Sequence, residues 1–299
     1  MAGETRLDVL KTYKLYIDGQ FPRSESGRTL AVQDSKGGTL AHVARASRKD
    51  LRDAVEAARK AQPGWAGATP YLRAQIMYRM AEMMEGKRAE FGAALAAVGG
   101  KAAKGRAKSP RSGGPDEVSA AIDRLVHYAG WADKYAQVLG CNNPVAGPYY
   151  NFTITEPTGV VAVVAPGESP LLALVSLLAP AVCAGNTVVA VASAGNPIPG
   201  AILGEVFATS DVPAGVINIL TGDRAELIPF IAGHRDIDAV HAANLDAAQA
   251  TALREGAAEN VKRVTTREGV DWFDNHQCQS PWWIEPFVEM KTVWHPASV

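Results

Sequence analysis

Glu168 is the residue whose type and position first suggest chemistry. It stands in "VVAPGESPLL", a short polar loop between two prolines that follows the apolar run 160–165. A strand that ends in a Pro/Gly loop and continues as a helix is where many α/β enzymes place a cofactor or a catalytic group. A carboxylate there predicts either acid–base chemistry or a capping bond to free N–H groups of the helix that we expect from Leu171.

A second stretch, residues 99–114, combines Gly, Ser and Pro with several basic residues and no acid, in "GGKAAKGRAKSPRSGG". A phosphate or nucleic-acid site is one interpretation. A solvated linker is favoured, because no aromatic side chain is interleaved for base stacking. The basic residues are Lys101, Lys104, Arg106, Lys108 and Arg111.

Cysteine and histidine usage argues against disulfides and metals. Cys141, Cys183 and Cys278 are an odd number without CxxC spacing, which is typical of a protein of the reducing cytoplasm. His276 lies beside Cys278 in "NHQCQ", and His295 follows, but no ligand spacing supports a metal site.

Composition excludes further classes of protein. The 299 residues are 47% hydrophobic, which is enough for a sizeable core. Lys+Arg 30 against Asp+Glu 31 provides no field that would collect nucleic acid or anionic membrane. Prolines interrupt the longest apolar stretch before it reaches the roughly 20 residues of a membrane span, and the N-terminus lacks the apolar core of a signal peptide. We therefore expect neither nucleic acid nor membrane as a partner.

The elements that must position Glu168 begin with strands and helices. Residues 14–45 alternate weakly and predict two or three short strands. A helix is predicted from Ser47, capped with the help of Asp50, and ended by Pro63 and Gly64. Three more helices are predicted: from Thr69, with Leu72, Ile76, Met80 and Met83 on one face; from Lys87 to Ala97; and from Asp116 to about Gln137, with Val118, Ile122, Leu125, Ala129 and Ala132 inward.

From residue 159 onward, apolar strands alternate with helices. The candidate strands are 159–165, 187–192, 215–220, 237–242 and 261–265, and the helices between them begin near Leu171, Ile198, Arg224 and Leu245. Strands that are apolar on both faces and joined by helices predict a parallel sheet covered on both sides. The fold class is therefore α/β, a doubly wound Rossmann-like sheet with additional N-terminal helices.

Two further segments predict an assembly element. Residues 140–157 have the pattern of a hairpin, and the tail 287–294 has that of a strand with alternating Val and Trp. An exposed strand of this kind pairs readily with a partner edge, and Trp282, Trp283 and Trp294 are aromatics of the interface type. The expected division is 1–138 for the N-terminal strands and helices, 139–157 for the oligomerisation hairpin, 158–268 for the Rossmann-like core, and 269–299 for a linker and the C-terminal strand.

In wording and order, the segments resemble the aldehyde dehydrogenase superfamily across roughly residues 12–266. The similar segments are "LYIDGQF", "AVEAARKAQPGWAG", "YAGWADKY", "EPTGVVAVVAPGESPLL", "LAPAVCAGNTVV", "VPAGVINILTGD" and "ENVKRVT". "YAGWADKY", "APGESPLL" and "REGVDWFD" are most similar to the non-catalytic C-terminal half of class-16 members. In the family a catalytic domain separates the last Rossmann strand from the oligomerisation strand, whereas here only residues 265–286 do. The resemblance thus implies that the catalytic domain is missing.

The resemblance also assigns roles that these residues do not suit. The amide donor of the family's Pro-Trp-Asn loop aligns with Glu168, and a carboxylate repels an oxyanion. The general-base Glu aligns with Arg267, which stays protonated; Glu268 could replace it only from the opposite face of the strand. Cys278 faintly echoes the nucleophile motif but follows Arg267 too closely, so an incidental loop cysteine is the other interpretation.

The implied cofactor positions are altered in the same way. The family's Lys and the following acid, which approach the adenine ribose, align with Val191 and Ala194. The Gly-Ser-Thr-Glu turn beside the phosphates begins at Ala243 and Asn244, where a Cβ replaces the glycine hydrogen. No cofactor is therefore expected, and NAD(P) belongs to the alternative below.

Three hypotheses follow from these residues. The first is a pseudoenzyme, a scaffold that forms a homodimer or joins a catalytic aldehyde dehydrogenase unit. The second is a residual NAD(P)-dependent aldehyde oxidoreductase that uses Cys278. The third is a module that binds an anionic polymer through residues 101–111.

Overall fold

The computed structural model describes residues 9–34, 36–98 and 116–297. The strands are β1 (Thr12–Tyr13), β2 (Thr29–Gln33), β3 (Thr39–Ala44), β4 (Cys141–Asn143), β5 (Tyr149–Pro157), β6 (Val160–Val164), β7 (Thr187–Val191), β8 (Ile217–Leu220), β9 (Ala239–Ala243), β10 (Arg263–Arg267) and β11 (Val288–Pro296). The helices are α1 (Arg48–Gly67), α2 (Pro70–Gly86), α3 (Arg88–Val98), α4 (Glu117–Trp131), α5 (Tyr135–Leu139), α6 (Leu172–Cys183), α7 (Ile198–Ala208), α8 (Arg224–Gly233), α9 (Ala247–Asn260) and α10 (Asn275–Cys278), with single 3₁₀ turns at Pro281–Trp283 and Glu285–Phe287.

The main sheet is five-stranded and parallel, in the order β10-β9-β6-β7-β8. One hydrophobic core packs α2, α4, α6 and α7 against one face, through residues such as Val161 and Val163. A second core packs α1, α8 and α9 against the other face, through Val160, Ala162 and Val164. Because successive β6 side chains serve opposite cores, the strand is apolar throughout. The predicted doubly wound α/β fold is confirmed.

The prediction that Pro63 ends the first helix is wrong. Ser47 caps α1 as expected, with a reciprocal bond between its backbone and Asp50, but the helix continues to Gly67. Trp65 explains the continuation, because its indole is buried and donates to the carbonyl of Val182 at 3.1 Å. Packing of the last turn thus outweighs the local break that a proline favours.

The predicted inward face of α2 is rotated in the structure. Leu72 is 46% exposed and Met83 is only partly buried, whereas Ile76, Met80 and Met84 are in the core. The cause is Arg73, which is buried and donates to the carbonyl of Ala68 at 2.7 Å. This bond turns position 73, rather than 72, toward the protein.

The long helix expected from Asp116 to Gln137 is two helices. Its inward residues are buried as predicted, but α4 ends at Trp131 and α5 begins at Tyr135. The break allows the buried Tyr135 hydroxyl to donate to the carbonyl of Ala184 at 3.2 Å. This change of direction leads the chain out to β4.

The predicted hairpin and tail strand form one small antiparallel sheet, in the order β11-β5-β4. A separate sheet of β1, β3 and β2 lies near the N-terminus. None of the helices in the described ranges has the length and apolar content needed to cross a membrane. The basic stretch 99–114 lies outside the described residues.

Candidate functional site

The candidate site lies at the carboxyl edge of the main sheet, between β6 and β9. The chain leaves β6 toward β7 and β8 on one side, then returns to β9 and β10 on the other. Such a reversal opens the crevice in which doubly wound folds bind their ligands. The loops that follow β6, β9 and β10 meet here and bring Glu168, Asn244 and Trp272 together.

Glu168 bridges these loops. One of its carboxylate oxygens accepts hydrogen bonds from the side-chain amide of Asn244 and from the indole N–H of Trp272, the latter at 3.3 Å. Asn244 in turn accepts from the backbone N–H of Gly269 at 3.3 Å. We call Glu168, Asn244 and Trp272 the Glu168 bridge; it connects the loops that follow β6, β9 and β10.

The suggestion that Glu168 caps the following helix is wrong. The free N–H groups of Leu171 and Leu172 donate instead to one oxygen of Glu117, at 2.9 and 3.1 Å. Burial raises the pKa of Glu117, although these two bonds oppose the shift. Sequence reasoning missed this residue, because nothing in the first turn of α4 marks it as a partner for a helix 54 positions away.

Asn244 has a backbone that suits its bridging role. Its φ of +47° lies in the left-handed region, which asparagine tolerates better than most residues. Its carbonyl accepts from Arg224 at 3.1 Å, while Ala243 before it is fully buried in β9. The turn that sequence reasoning treated as degraded thus connects the loops of the crevice to each other.

Arg267, at the implied base position, is held as a structural cation. Its Nε donates to Nε2 of His241 at 3.1 Å, and its guanidinium lies 4.0 Å from the ring centroid of Trp283. Burial, together with the Arg267 charge, lowers the pKa of His241 to about 3, so this imidazole is neutral at pH 7. Its Nδ1–H donates to the carbonyl of Leu177 at 2.9 Å, and neither ring nitrogen remains for proton transfer. Glu268 follows β10 as an exposed residue.

Cys278 is part of the core rather than an incidental loop cysteine. It ends α10, is fully buried, and its thiol lies 3.6 Å from the carbonyl oxygen of Asp271. Burial raises the pKa of this thiol, and Arg124 only partly opposes the shift. A buried thiol that stays protonated is a poor nucleophile.

Arg124 and Tyr128, which sequence reasoning also missed, attach the Cys278 segment to α4. Arg124 is fully buried and donates to the hydroxyl of Ser176 at 2.7 Å and to the carbonyl of Trp272 at 3.0 Å. Tyr128 donates to the carbonyl of Cys278 at 2.8 Å. Because α4 reads as an ordinary amphipathic helix, its sequence gives no sign that these two side chains bind a distant loop.

Three local contacts at this edge bear on whether a dinucleotide can bind. A Cβ added at Gly195 would lie 2.7 Å from the carbonyl oxygen of Gly167, so the loops after β6 and β7 are already in contact. Asp246 places a carboxylate on the N-terminus of α9, where its oxygen accepts from the N–H of Gln249 at 2.8 Å and would repel a phosphate. Val191 is buried in a hydrophobic core.

Neither Ala194 nor the candidate metal ligands, His276 and His295, bring a ligand-binding group to this edge of the sheet. Ala194 is exposed and has no polar side chain. His276 lies in α10, whereas His295 lies on β11. Within the described ranges no group of three His, Cys, Asp or Glu side chains is arranged to hold a metal ion.

Comparisons with known proteins give the context for this site. The family model described as "Aldehyde dehydrogenase family" matches residues 21–271. The chain is 32% identical over 258 residues to an aldehyde dehydrogenase of Aspergillus niger, covering 85% of this chain and 50% of that protein. It is 32% identical over 266 residues to retinal dehydrogenase 2 of Mus musculus, covering 87% and 49%.

Solved structures agree with the sequence matches. The NAD+ complex of an aldehyde dehydrogenase from Bacillus cereus superimposes with a TM-score of 0.77 at 29% identity, over 86% of this chain and 51% of that one. The chain therefore spans about half the length of the relatives it matches. Between β10 and β11 it has only residues 268–287, with one short helix and two 3₁₀ turns.

Proposed function

The chain belongs to the aldehyde dehydrogenase family, and from this premise we propose that it is a pseudoenzyme domain. It serves as a structural scaffold that assembles with itself or with an active aldehyde dehydrogenase unit. The Glu168 bridge is the observation that carries the proposal, because it bonds the chain's own side chains to each other at the sheet edge where doubly wound folds bind their ligands. We propose that the domain binds no NAD(P).

The surroundings of the implied catalytic positions support the same proposal. A nucleophile needs a base and an oxyanion donor within about 3 Å. The thiol of Cys278 is buried beside a backbone carbonyl, and Arg267 is a cation bonded to a neutral His241. Neither arrangement supplies a proton acceptor, so the residual oxidoreductase is the less favoured function.

The small sheet supports the assembly role. Along β5, Tyr150, Phe152 and Ile154 alternate onto one face, and Val293 of β11 lies directly opposite Phe152. These four side chains form an apolar stripe, and all four are at least partly exposed to solvent. An exposed apolar surface of this kind is typical of a protein contact. The outer edge of β11 adds backbone groups able to pair with another strand. We propose that this edge and stripe form the contact with a second copy or an active unit.

Two finer assignments belong to the proposal. Within the family, we place the domain nearest to the non-catalytic half of class-16 members, on the wording of "YAGWADKY", "APGESPLL" and "REGVDWFD". We also place it in the cytoplasm, because Cys141 is an exposed free thiol, which a reducing compartment preserves.

Sedimentation tests the assembly role. The domain is expected to sediment as a dimer, or to form a complex with an active aldehyde dehydrogenase. Ile154→Lys should weaken that assembly, because it places a charge in the apolar stripe. Val138→Lys is the matched control: Val138 is 49% exposed but lies on α5, outside the stripe. A monomer mass that stays constant with concentration, alone and with the active enzyme, would disprove the scaffold.

Calorimetry and absorbance test the loss of catalysis. We expect no heat of binding with NAD+ or NADP+, and no NADH or NADPH from a simple aldehyde. Turnover that disappears in Cys278→Ala would instead establish the residual oxidoreductase.

A further inference from the structure

A cavity apart from the carboxyl-edge crevice lies between the start of α1 and the end of α8. Its volume is about 760 Å³. Cavities that bind small molecules have volumes of roughly 300–1,000 Å³, so this one is large enough for a ligand. It is lined by neither the Glu168 bridge nor the small sheet. We call it the α1–α8 cavity.

One wall of the α1–α8 cavity is apolar. It consists of Leu51 of α1 with Pro229 and Phe230 of α8. The Phe230 ring packs against the hydrophobic core but is only partly buried, and Pro229 is exposed. Such a wall stabilises the apolar body of a ligand by removing it from water.

The α1–α8 cavity also carries positive charge. Its cations are Arg48, Lys49 and Arg52, and its one lining acid is Glu25. Lys49 and Arg52 each have a carboxylate within 4.0 Å. The guanidinium of Arg48 instead lies 5.4 Å from the ring centroid of Phe230, and no carboxylate of the described residues comes within 4.0 Å of it. An unpaired cation beside an apolar wall favours a ligand that combines an apolar body with negative charge.

His234 adds a neutral hydrogen-bond donor to this cavity. Burial lowers the pKa of its imidazole, so the ring is uncharged at pH 7. Its Nδ1 accepts from the backbone N–H of Asp236 at 3.2 Å, which places the ring hydrogen on Nε2. In the described part of the chain Nε2 has no partner of its own. A free N–H beside a free guanidinium suits a ligand with acceptor oxygens.

We propose that the α1–α8 cavity binds a small aromatic carboxylate, with its ring against the wall at Phe230 and its acid group on Arg48. A guanidinium presents parallel N–H groups that match the two oxygens of a carboxylate. Glu25 would repel a second negative charge, so a single carboxylate is favoured over a phosphate dianion. An aromatic body is favoured because it stacks both on a phenyl ring and on a guanidinium plane.

Calorimetry of the full chain with naphthoate tests the α1–α8 cavity. We expect saturable binding to a single site, and binding at least about tenfold weaker for naphthalenemethanol, which has the same rings without the charge. Arg48→Met keeps the aliphatic stem and removes the guanidinium. It should weaken naphthoate binding by about tenfold, the loss expected for one charge-assisted hydrogen bond. Phe230→Leu should also weaken binding, because it removes the aromatic face.

Arg79→Met is the matched control. Arg79 is an exposed arginine of α2, outside the α1–α8 cavity, so this variant should bind naphthoate like the wild type. The proposal is refuted by a lack of saturable binding, by wild-type affinity in Arg48→Met, or by equal weakening in Arg79→Met. Equal affinity for naphthalenemethanol would also refute it, because the acid group would then not be recognised.

Competition identifies the site that naphthoate occupies. NAD+ and inorganic phosphate, at equal concentration, should leave its affinity unchanged. Displacement by NAD+ would place naphthoate in the crevice, and displacement by phosphate would mean that the cations bind any anion; either result overturns the proposal. The α1–α8 cavity does not depend on the scaffold role. Ile154→Lys should therefore bind naphthoate like the wild type even where it abolishes assembly, so the two proposals can fail separately.

Discussion

The neutral, fully buried His241 makes stability depend on pH. Burial and the Arg267 charge lower its pKa to about 3 in the folded state, from 6.5 when unfolded. Between these values the unfolded chain binds the extra proton, so stability is fully present above pH 6.5 and is lost as the pH falls toward 3. From pH 7 to pH 5 we expect a loss of about 2 kcal/mol from this residue.

Urea unfolding at several pH values measures this loss. His241→Gln should be less stable at pH 7, but its stability should fall less between pH 7 and pH 5. His276→Gln, in which an exposed histidine is changed, should keep the wild-type pH dependence. An unchanged slope in His241→Gln would contradict the assignment.

Glu168 stabilises the fold as the hydrogen-bond acceptor of two side chains, those of Asn244 and Trp272. Glu168→Ala should lower the free energy of unfolding by roughly 1–3 kcal/mol, because the Asn244 amide and the Trp272 indole lose their acceptor. Glu268→Ala removes an exposed carboxylate at the same sheet edge and should change stability by less than about 0.5 kcal/mol. Equal effects in the two variants, measured by urea denaturation, would mean that Glu168 has no bridging role.

At the scale of elements, α9 ends in a strained residue. Val261 has φ +58° at the C-cap and is 88% exposed, so a β-branched side chain adopts a left-handed backbone without packing in return. Val261→Gly should raise the free energy of unfolding by about 0.5–1 kcal/mol. Val261→Ala keeps the Cβ and should gain less; a less stable Val261→Gly in thermal denaturation would contradict this account.

The N-terminus of α6 depends on another helix. Glu117→Ala removes the acceptor for two backbone N–H groups and should cost about 1–3 kcal/mol of stability, measured by urea denaturation. Glu117→Gln retains an acceptor oxygen and should cost less. Asp123→Ala, at an exposed carboxylate of the same α4, should be nearly neutral. A Glu117→Ala variant as stable as Asp123→Ala would show that the capping bonds are dispensable.

Elements differ in how well their sequence predicts them. The β6 strand follows from its hydrophobic pattern, and the Ser47 capping box follows from the three-residue spacing of Ser47 and Asp50. Both predictions are confirmed. The predictions from Pro63 and Leu72 are wrong because Trp65 and Arg73 form hydrogen bonds to other parts of the chain. Local sequence preferences do not include such contacts. Glu168 lies at the carboxyl edge of the sheet, as its position after β6 predicts. Its partners Glu117 and Arg124 come from distant positions that no spacing rule connects.

At the scale of the whole molecule, residues 268–287 have become part of the core. Trp272, Trp283, Cys278 and Phe287 are buried, and His241 packs against the rings of Trp283 and Phe287. A segment that only connected two strands would not place these side chains inside the protein. The segment therefore packs against the sheet beside β9.

Arg124 tests whether this segment is held as a unit. Its guanidinium has no carboxylate within 4.0 Å among the described residues, and it is compensated by Ser176 and by the carbonyls of the segment. Arg124→Met keeps most of the buried volume and removes those donors, so the carbonyl of Trp272 loses its partner. We expect faster proteolysis within 268–287 and a red shift of tryptophan emission. The loss in free energy of unfolding should exceed that of Tyr128→Phe, which removes one hydrogen bond worth about 1 kcal/mol. Arg79→Met, on the exposed face of α2, should show none of these changes. If Arg124→Met unfolds in one step with wild-type protease resistance beforehand, the segment is held by its aromatic packing, and the buried cation is not its anchor.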